Sequence, residues 1–206
     1  MRLTKARFGI VVAVVLLGGC ATRTVAPSLP ATLPYPEFMY PTLPAAYSNA
    51  AAAAQIDRGW RYLQNNDPGN AEREFAAALK QTPGLYPAQV GSAYVALARG
   101  DQNRALGGFD AALGTAPAYV PALVGRGQTL LALKRDTDAL AAFEAALAAD
   151  ASLVDVRRRV DVLRFRGLQE VIESARAAAA AGRLPEARDA YQRALEASPD
   201  SAFLYR

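Results

Sequence analysis

AEREFAAAL, residues 71 to 79, decides how this chain is read, because the chain writes the pattern four times. Ala71-x3-Phe75-x2-Ala78-Leu79 returns as Ala105-x3-Phe109-x2-Ala112-Leu113 and as Ala139-x3-Phe143-x2-Ala146-Leu147. A fourth copy, Ala187-x3-Tyr191-x2-Ala194-Leu195, carries tyrosine for phenylalanine. Steps of four, three and four residues put these side chains on one face of a helix. The alanines let a neighbouring helix approach closely, and the aromatic ring fills the space beside them. Pro83, Pro117 and Pro199 each follow the leucine by four residues, where a ring without an N–H stops the helix. Ala151 takes that place after the third copy.

Working outward, the twelfth residue before each leading alanine is small: Gly59, Ala93, Gly127 and Ala175. These mark a contact point on a preceding helix. Pro87 and Pro121 stand where that helix begins, a position that tolerates proline. Gly100-Asp101 and Gly182-Arg183 mark the turn into the second helix. The unit is therefore a helical hairpin, and its first three copies recur at one constant interval, from Ala71 to Ala105 to Ala139.

That interval, the period of about 34 residues known from one class of helical repeat, and this core resemble the tetratricopeptide repeats, over about residues 52 to 206. The resemblance implies an all-α right-handed superhelix, with repeats at about 52–85, 86–119, 120–153 and 168–201 and the start of a fifth at 202. The first-helix signature is thinner: Gly59 and Tyr62 match, while Ala96 and Ala178 replace a large residue. The interval from Ala139 to Ala187 exceeds the period by fourteen, and the extra residues fall at about 154–167. Val156, Val160 and Leu163 keep helical spacing there, which predicts an added or extended helix and an offset fourth repeat. Residues 201–206, SAFLYR, read as the opening turn of a repeat that nothing covers. That open end would suit a truncated chain, a partner, or self-association.

The resemblance also implies a concave groove lined by the first helices. Carried over position by position, the groove is Ile56, Val90, Val124 and Ile172, then Trp60, Tyr94, Gln128 and Arg176, then Leu63, Leu97 and Leu131. This predicts an apolar, aromatic face that suits an extended or helical peptide and becomes polar at the fourth repeat. Some family members clamp a terminal carboxylate with Lys, Asn and Arg in such positions. Repeats one to three of this chain lack those residues, which argues against that ligand. The alternative is that these side chains pack against other parts of the chain.

The N-terminal residues read as an address. Arg2, Lys5 and Arg7 precede a twelve-residue apolar run from Phe8 to Gly19, shorter than the roughly 20 residues that span a bilayer. The run closes on Leu17-Gly18-Gly19-Cys20, which resembles the bacterial lipobox. That resemblance implies a signal peptide over 1–19, acylation of Cys20, and a lipoprotein of the cell envelope facing the periplasm. Ala21, where aspartate often signals inner-membrane retention, tilts the expectation to the outer membrane. Residues 20–48 are then anchor and linker. Prolines at 27, 30, 34, 36, 41 and 44 predict an extended, polyproline-like course. Fully extended, 27 residues reach roughly 80 Å at about 3.1 Å each. Tyr35, Phe38, Tyr40 and Tyr47 are more aromatics than a spacer needs; they either pack back on the first repeat or form a docking motif.

Composition removes several function classes. The 206 residues contain no histidine and one cysteine, so the commonest general base, an internal disulfide and a thiolate zinc site are all missing from the sequence. No glycine-rich phosphate loop or nucleophile elbow occurs, and no cofactor is expected. The net charge of +4 falls to about +1 without the leader, which gives no footprint for nucleic acid. Arg157, Arg158, Arg159, Arg164 and Arg166, offset by Asp155 and Asp161, form one basic cluster, read as a solvated helix face or a contact for anionic lipid or an acidic partner. The expected function is a non-enzymatic, lipid-anchored scaffold for outer-membrane, pilus or secretion assembly. The alternatives are an adaptor for peptidoglycan enzymes or proteases, and a self-associating structural subunit.

Overall fold

The computed structural model describes residues 26–47 and 50–197; the signal segment, Cys20 and the start of a fifth repeat lie outside them. Among the described residues there are eight α-helices and no strand: α1 Ala50–Gln64, α2 Pro68–Gln81, α3 Tyr86–Ala98, α4 Gln102–Thr115, α5 Val120–Ala132, α6 Asp136–Ala149, α7 Val154–Ala180 and α8 Leu184–Ala197. Each helix packs against the next, α1 also touches α3, and α3 also touches α5. Successive hairpins therefore stack side by side with their first helices in one layer.

The hairpin turns have a common chemistry. Each first helix ends two residues before a position of positive φ: Asn66 at 57°, Gly100 at 74°, Lys134 at 58° and Gly182 at 75°. Glycine adopts this conformation freely and asparagine at modest cost. In the first two hairpins the next residue caps the second helix: Asp67 accepts from the Asn70 N–H at 3.0 Å and Asp101 from the Arg104 N–H at 3.1 Å. Bonding to that N–H and to the Asn70 side chain holds the Asp67 carboxyl below its ordinary pKa.

Phe75, Phe109 and Phe143 are fully buried, each seated against glycine. A Cβ on Gly91 would stand 2.3 Å from the Phe75 ring, one on Gly125 2.3 Å from Phe109, and one on Gly127 2.6 Å from Phe143. Only a residue without a side chain admits the ring at these distances. Gly59 and Gly127 hold the aromatic of their own hairpin. Gly91 and Gly125, on the following first helix, hold the aromatic of the preceding one.

The fourth unit differs. α7 starts at Val154, one full period after α5 starts at Val120, so it enters in register. Its turn would fall one period after Lys134 and Arg135, at Leu168 and Gln169. Neither glycine nor a capping side chain stands there, although the third turn, at Lys134 and Arg135, forms without either. The helix runs on for fourteen residues, about 21 Å at 1.5 Å each, until Gly182 supplies the turn. At 27 residues, α7 is close to two 13-residue first helices laid end to end. Its first half buries Val156, Val160 and Leu163 in a cluster with Val124, Leu130 and Phe143. Its second half buries Ile172, Ala175 and Ala178 where it meets α8, which contributes Ala187, Ala190 and Ala194. The segment read as an insertion is thus the first half of a continuous helix, which carries α8 away from the third hairpin.

Candidate functional site

The concave layer of α1, α3 and α5 is occupied by the chain itself. Residues 28–47, read from the sequence chiefly as an extended spacer, lie across it as a strap. Phe38 stacks on Tyr94 with ring centroids 4.7 Å apart and on Tyr35 at 4.8 Å. Tyr40 meets Trp60 edge-on at 5.6 Å, and Tyr47 meets Tyr86 at 5.7 Å. Such ring pairs add about 0.5–1.5 kcal/mol each beyond the apolar area they cover.

Proline removes backbone donors, so the groove binds the strap mainly through its carbonyls. Gln64 Nε2 donates to the Tyr35 carbonyl at 3.0 Å, Gln128 Nε2 to that of Glu37 at 2.5 Å, and Tyr119 Oη to that of Thr42 at 2.8 Å. Asn65 Nδ2 reaches the Ser28 carbonyl at 2.9 Å. In the other direction, the Met39 N–H donates to Tyr94 Oη at 3.2 Å, and that hydroxyl donates onward to the Pro121 carbonyl at 3.0 Å. Burial pushes the Tyr94 phenol well above its ordinary range, and burial does the same for Tyr119.

The expected groove residues separate into three groups. Trp60, Tyr94 and Gln128 contact the strap directly. Ile56, Leu63 and Val90 are buried in the core beneath, and Val124 lies at its edge. Leu97 and Leu131 are half-buried beside the strap. Ile172 and Arg176 belong elsewhere: Ile172 is buried against α8, and Arg176 pairs with Glu173 at 2.8 Å on an exposed face. Their placement follows the spacing of the fourth Ala-Tyr-Ala motif, whereas the groove follows where α7 begins. Counted one period on from Val124, Gln128 and Leu131, the corresponding positions are Arg158, Val162 and Phe165. Gln64, Tyr86 and Tyr119, which also bind the strap or its rings, carry no repeat signature, and sequence reasoning missed them.

The strap stops short of this last part. A cleft of about 830 Å³ opens between Pro36–Tyr40 of the strap, Val124 and Gln128 of α5, and Val154, Val156, Arg158 and Arg159 of α7. Val162 is 58 % exposed and Phe165 62 % exposed. The five-arginine cluster does not act as one patch. Arg164 pairs with Glu144 at 2.7 Å, Arg166 pairs with Asp136, and Arg158 pairs with Asp155 at 3.4 Å. Arg157 donates to the Ala151 carbonyl at 2.6 Å. Arg159 turns to the cleft and has no ion pair among the described residues. Among the described residues no group of side chains could hold a metal ion, and no helix is long and apolar enough to cross a membrane.

A family model described as tetratricopeptide repeat matches residues 56–120, 90–153 and 172–202. No curated protein matches the chain. Among solved structures, the protein TTC0263 of Thermus thermophilus is 19 % identical with a TM-score of 0.51, over 75 % of this chain and 95 % of that one. The TPR2B domain of yeast Sti1, solved as a pHsp70 complex, is 21 % identical with a TM-score of 0.51, over 59 % and 99 %. The second TPR domain of human RPAP3, solved with the HSP70 peptide SGPTIEEVD, is 16 % identical with a TM-score of 0.50, over 55 % and 95 %. The likeness establishes the architecture: an all-α right-handed superhelix of helical hairpins.

Proposed function

We propose, from the premise that this chain belongs to the tetratricopeptide-repeat family, that it is a lipid-anchored scaffold of the bacterial envelope. It binds a protein or peptide partner on its concave face and carries out no chemistry of its own. Assembly of outer-membrane proteins, pili or secretion machinery is the role that fits such a scaffold. One observation carries the binding reading. The concave face is built to hold a segment of chain outside the α-helices, since it already holds the turning stretch 35–47 through side-chain bonds to carbonyls and through ring stacking. The cleft beside the strap offers the same chemistry, with an apolar floor of Met39, Val124 and Val156, and has room for a further segment. The anchoring reading rests on Leu17-Gly18-Gly19-Cys20 and on the lone cysteine at the acceptor position.

In-cell photocrosslinking tests the binding reading. A reactive residue at Arg159 in the cleft, or at Leu131 in the adjoining hollow beside Leu97 and Gln128, should give a discrete protein adduct, and one at Arg73, exposed on α2, should give none. Equal labelling at all three, or none in the cleft, removes the concave face as the binding surface. Growth with an alkyne-labelled fatty acid tests the anchor. Label should enter the wild type and vanish in Cys20→Ser, and an unlabelled wild type would refute lipidation.

A further inference from the structure

The groove positions of the fourth unit are the part of the concave layer that the strap leaves open. Arg158, Val162 and Phe165 lie four and three residues apart on α7, hence on one face of the helix. An ordinary repeat would continue from here into its second helix, but that helix, α8, sits fourteen residues further along. Two large apolar side chains therefore stand in solvent, one and two turns along α7 from Arg158, which lines a cleft of about 830 Å³. Adjacent exposed apolar residues beside a concavity are a mark of an interaction surface.

Two arginines indicate what fits. Arg159 faces the same space with no ion pair among the described residues, and Arg158 is tied only to the exposed Asp155. A guanidinium in a partly enclosed cleft favours a carboxylate.

Resting on the concave-face reading above, we infer that this end of the groove takes a segment of a partner protein that pairs an apolar side chain with a side-chain carboxylate a few residues away. The apolar group covers Val162 and Phe165. The carboxylate meets Arg159 and Arg158. Arginines in the cleft select against a basic segment.

The test places a photoreactive residue at Phe165 in the full chain in cells and sequences the adduct. The expected adduct is a partner peptide with Asp or Glu within about three residues of the cross-linked apolar side chain. Arg159→Glu should cut its yield at least about fivefold, and Arg159→Gln less. Trp60 fluorescence should be unchanged in both, showing that the strap remains docked. The inference is overturned by an adduct to residues 198–206 of the same chain, to a second copy, to lipid or to a basic segment. Full yield in Arg159→Glu, or no adduct, also overturns it. If a partner adduct persists at Leu131 while Phe165 gives none, the concave-face reading stands and this inference alone falls.

Discussion

The first three hairpins and the fourth are built from one pattern and differ in what their aromatic residue meets. Phe75, Phe109 and Phe143 are each locked against glycine, under a concave face that a strap covers. Tyr191 sits half-buried on α8, where the buried residues of α8 and of the second half of α7 are alanines and Ile172. The contrast teaches that the repeat motif specifies a helical hairpin, while the glycine on the next first helix admits the ring of the preceding one. At Arg159, one period after Gly91 and Gly125, that glycine is gone, yet the first half of α7 still packs on Phe143 in register, and the array departs only where α7 runs past its expected turn.

The largest expected effect tests that contrast directly. Phe109→Ala should lower unfolding stability by about 3–5 kcal/mol, whereas Tyr191→Ala should cost less than about 1.5 kcal/mol because the ring is only partly enclosed. Denaturant unfolding of both variants checks it, and equal losses would mean that the fourth hairpin is locked as tightly as the others.

Next in size is the strap. Phe38→Ala removes the ring stacked on Tyr94 and Tyr35 and should cost about 2 kcal/mol. Hydrogen exchange at Met39, whose N–H bonds Tyr94 Oη, should speed up, while exchange in α8 should not change. Acceleration in α8 would show that strap and fourth hairpin act as one cooperative unit.

Alkaline titration separates the two regions by chemistry. Tyr94 and Tyr119 have folded pKa values raised by burial, so the folded state favours the neutral phenol. Their contribution is complete below the unfolded tyrosine pKa of about 10 and is lost as pH rises above it. Phenolate absorbance at 295 nm should therefore show two late-titrating tyrosines in the wild type. In Phe38→Ala both should titrate closer to the ordinary tyrosine value. Unchanged late titration would mean that the strap is not what shields them.

The smallest effect concerns the long helix. Gly167 stands mid-helix with nothing near a Cβ placed on it. Gly167→Ala should stabilise α7 by about 0.5–1 kcal/mol in thermal unfolding. A loss instead would show that the helix needs flexibility at its midpoint.

Much of the architecture is legible in the sequence because its signals are local and repeated. The aromatic and alanine spacing, the prolines after second helices and the glycine turns all state the hairpin within one repeat. The groove is less legible. Which stretch of chain fills it depends on bonds between residues up to 91 apart, from Gln128 to Glu37, and no short-range pattern encodes them. The fourth-unit positions go astray because Ile172 and Arg176 follow the second-helix motif. The groove instead follows the start of α7, and residues 168 and 169 give no local sign of it, since the third hairpin turns at Lys134 and Arg135 without glycine or a capping side chain. The four aromatics at 35, 38, 40 and 47 are a visible signal with two open meanings, and three-dimensional packing chooses the first.

The docked strap has a consequence for how far the domain can roam. With Ser28 held by Asn65, the chain between that point and the proposed anchor at Cys20 is Ala21–Pro27. Those seven residues span at most about 25 Å, against roughly 80 Å for an undocked linker. The volume a lipid-tethered domain can explore scales as the cube of that reach, so docking shrinks it about thirtyfold and raises its local concentration at the bilayer by a similar factor. With the proposed lipid on Cys20, release of the strap would let a domain held close to the bilayer search the space beneath it.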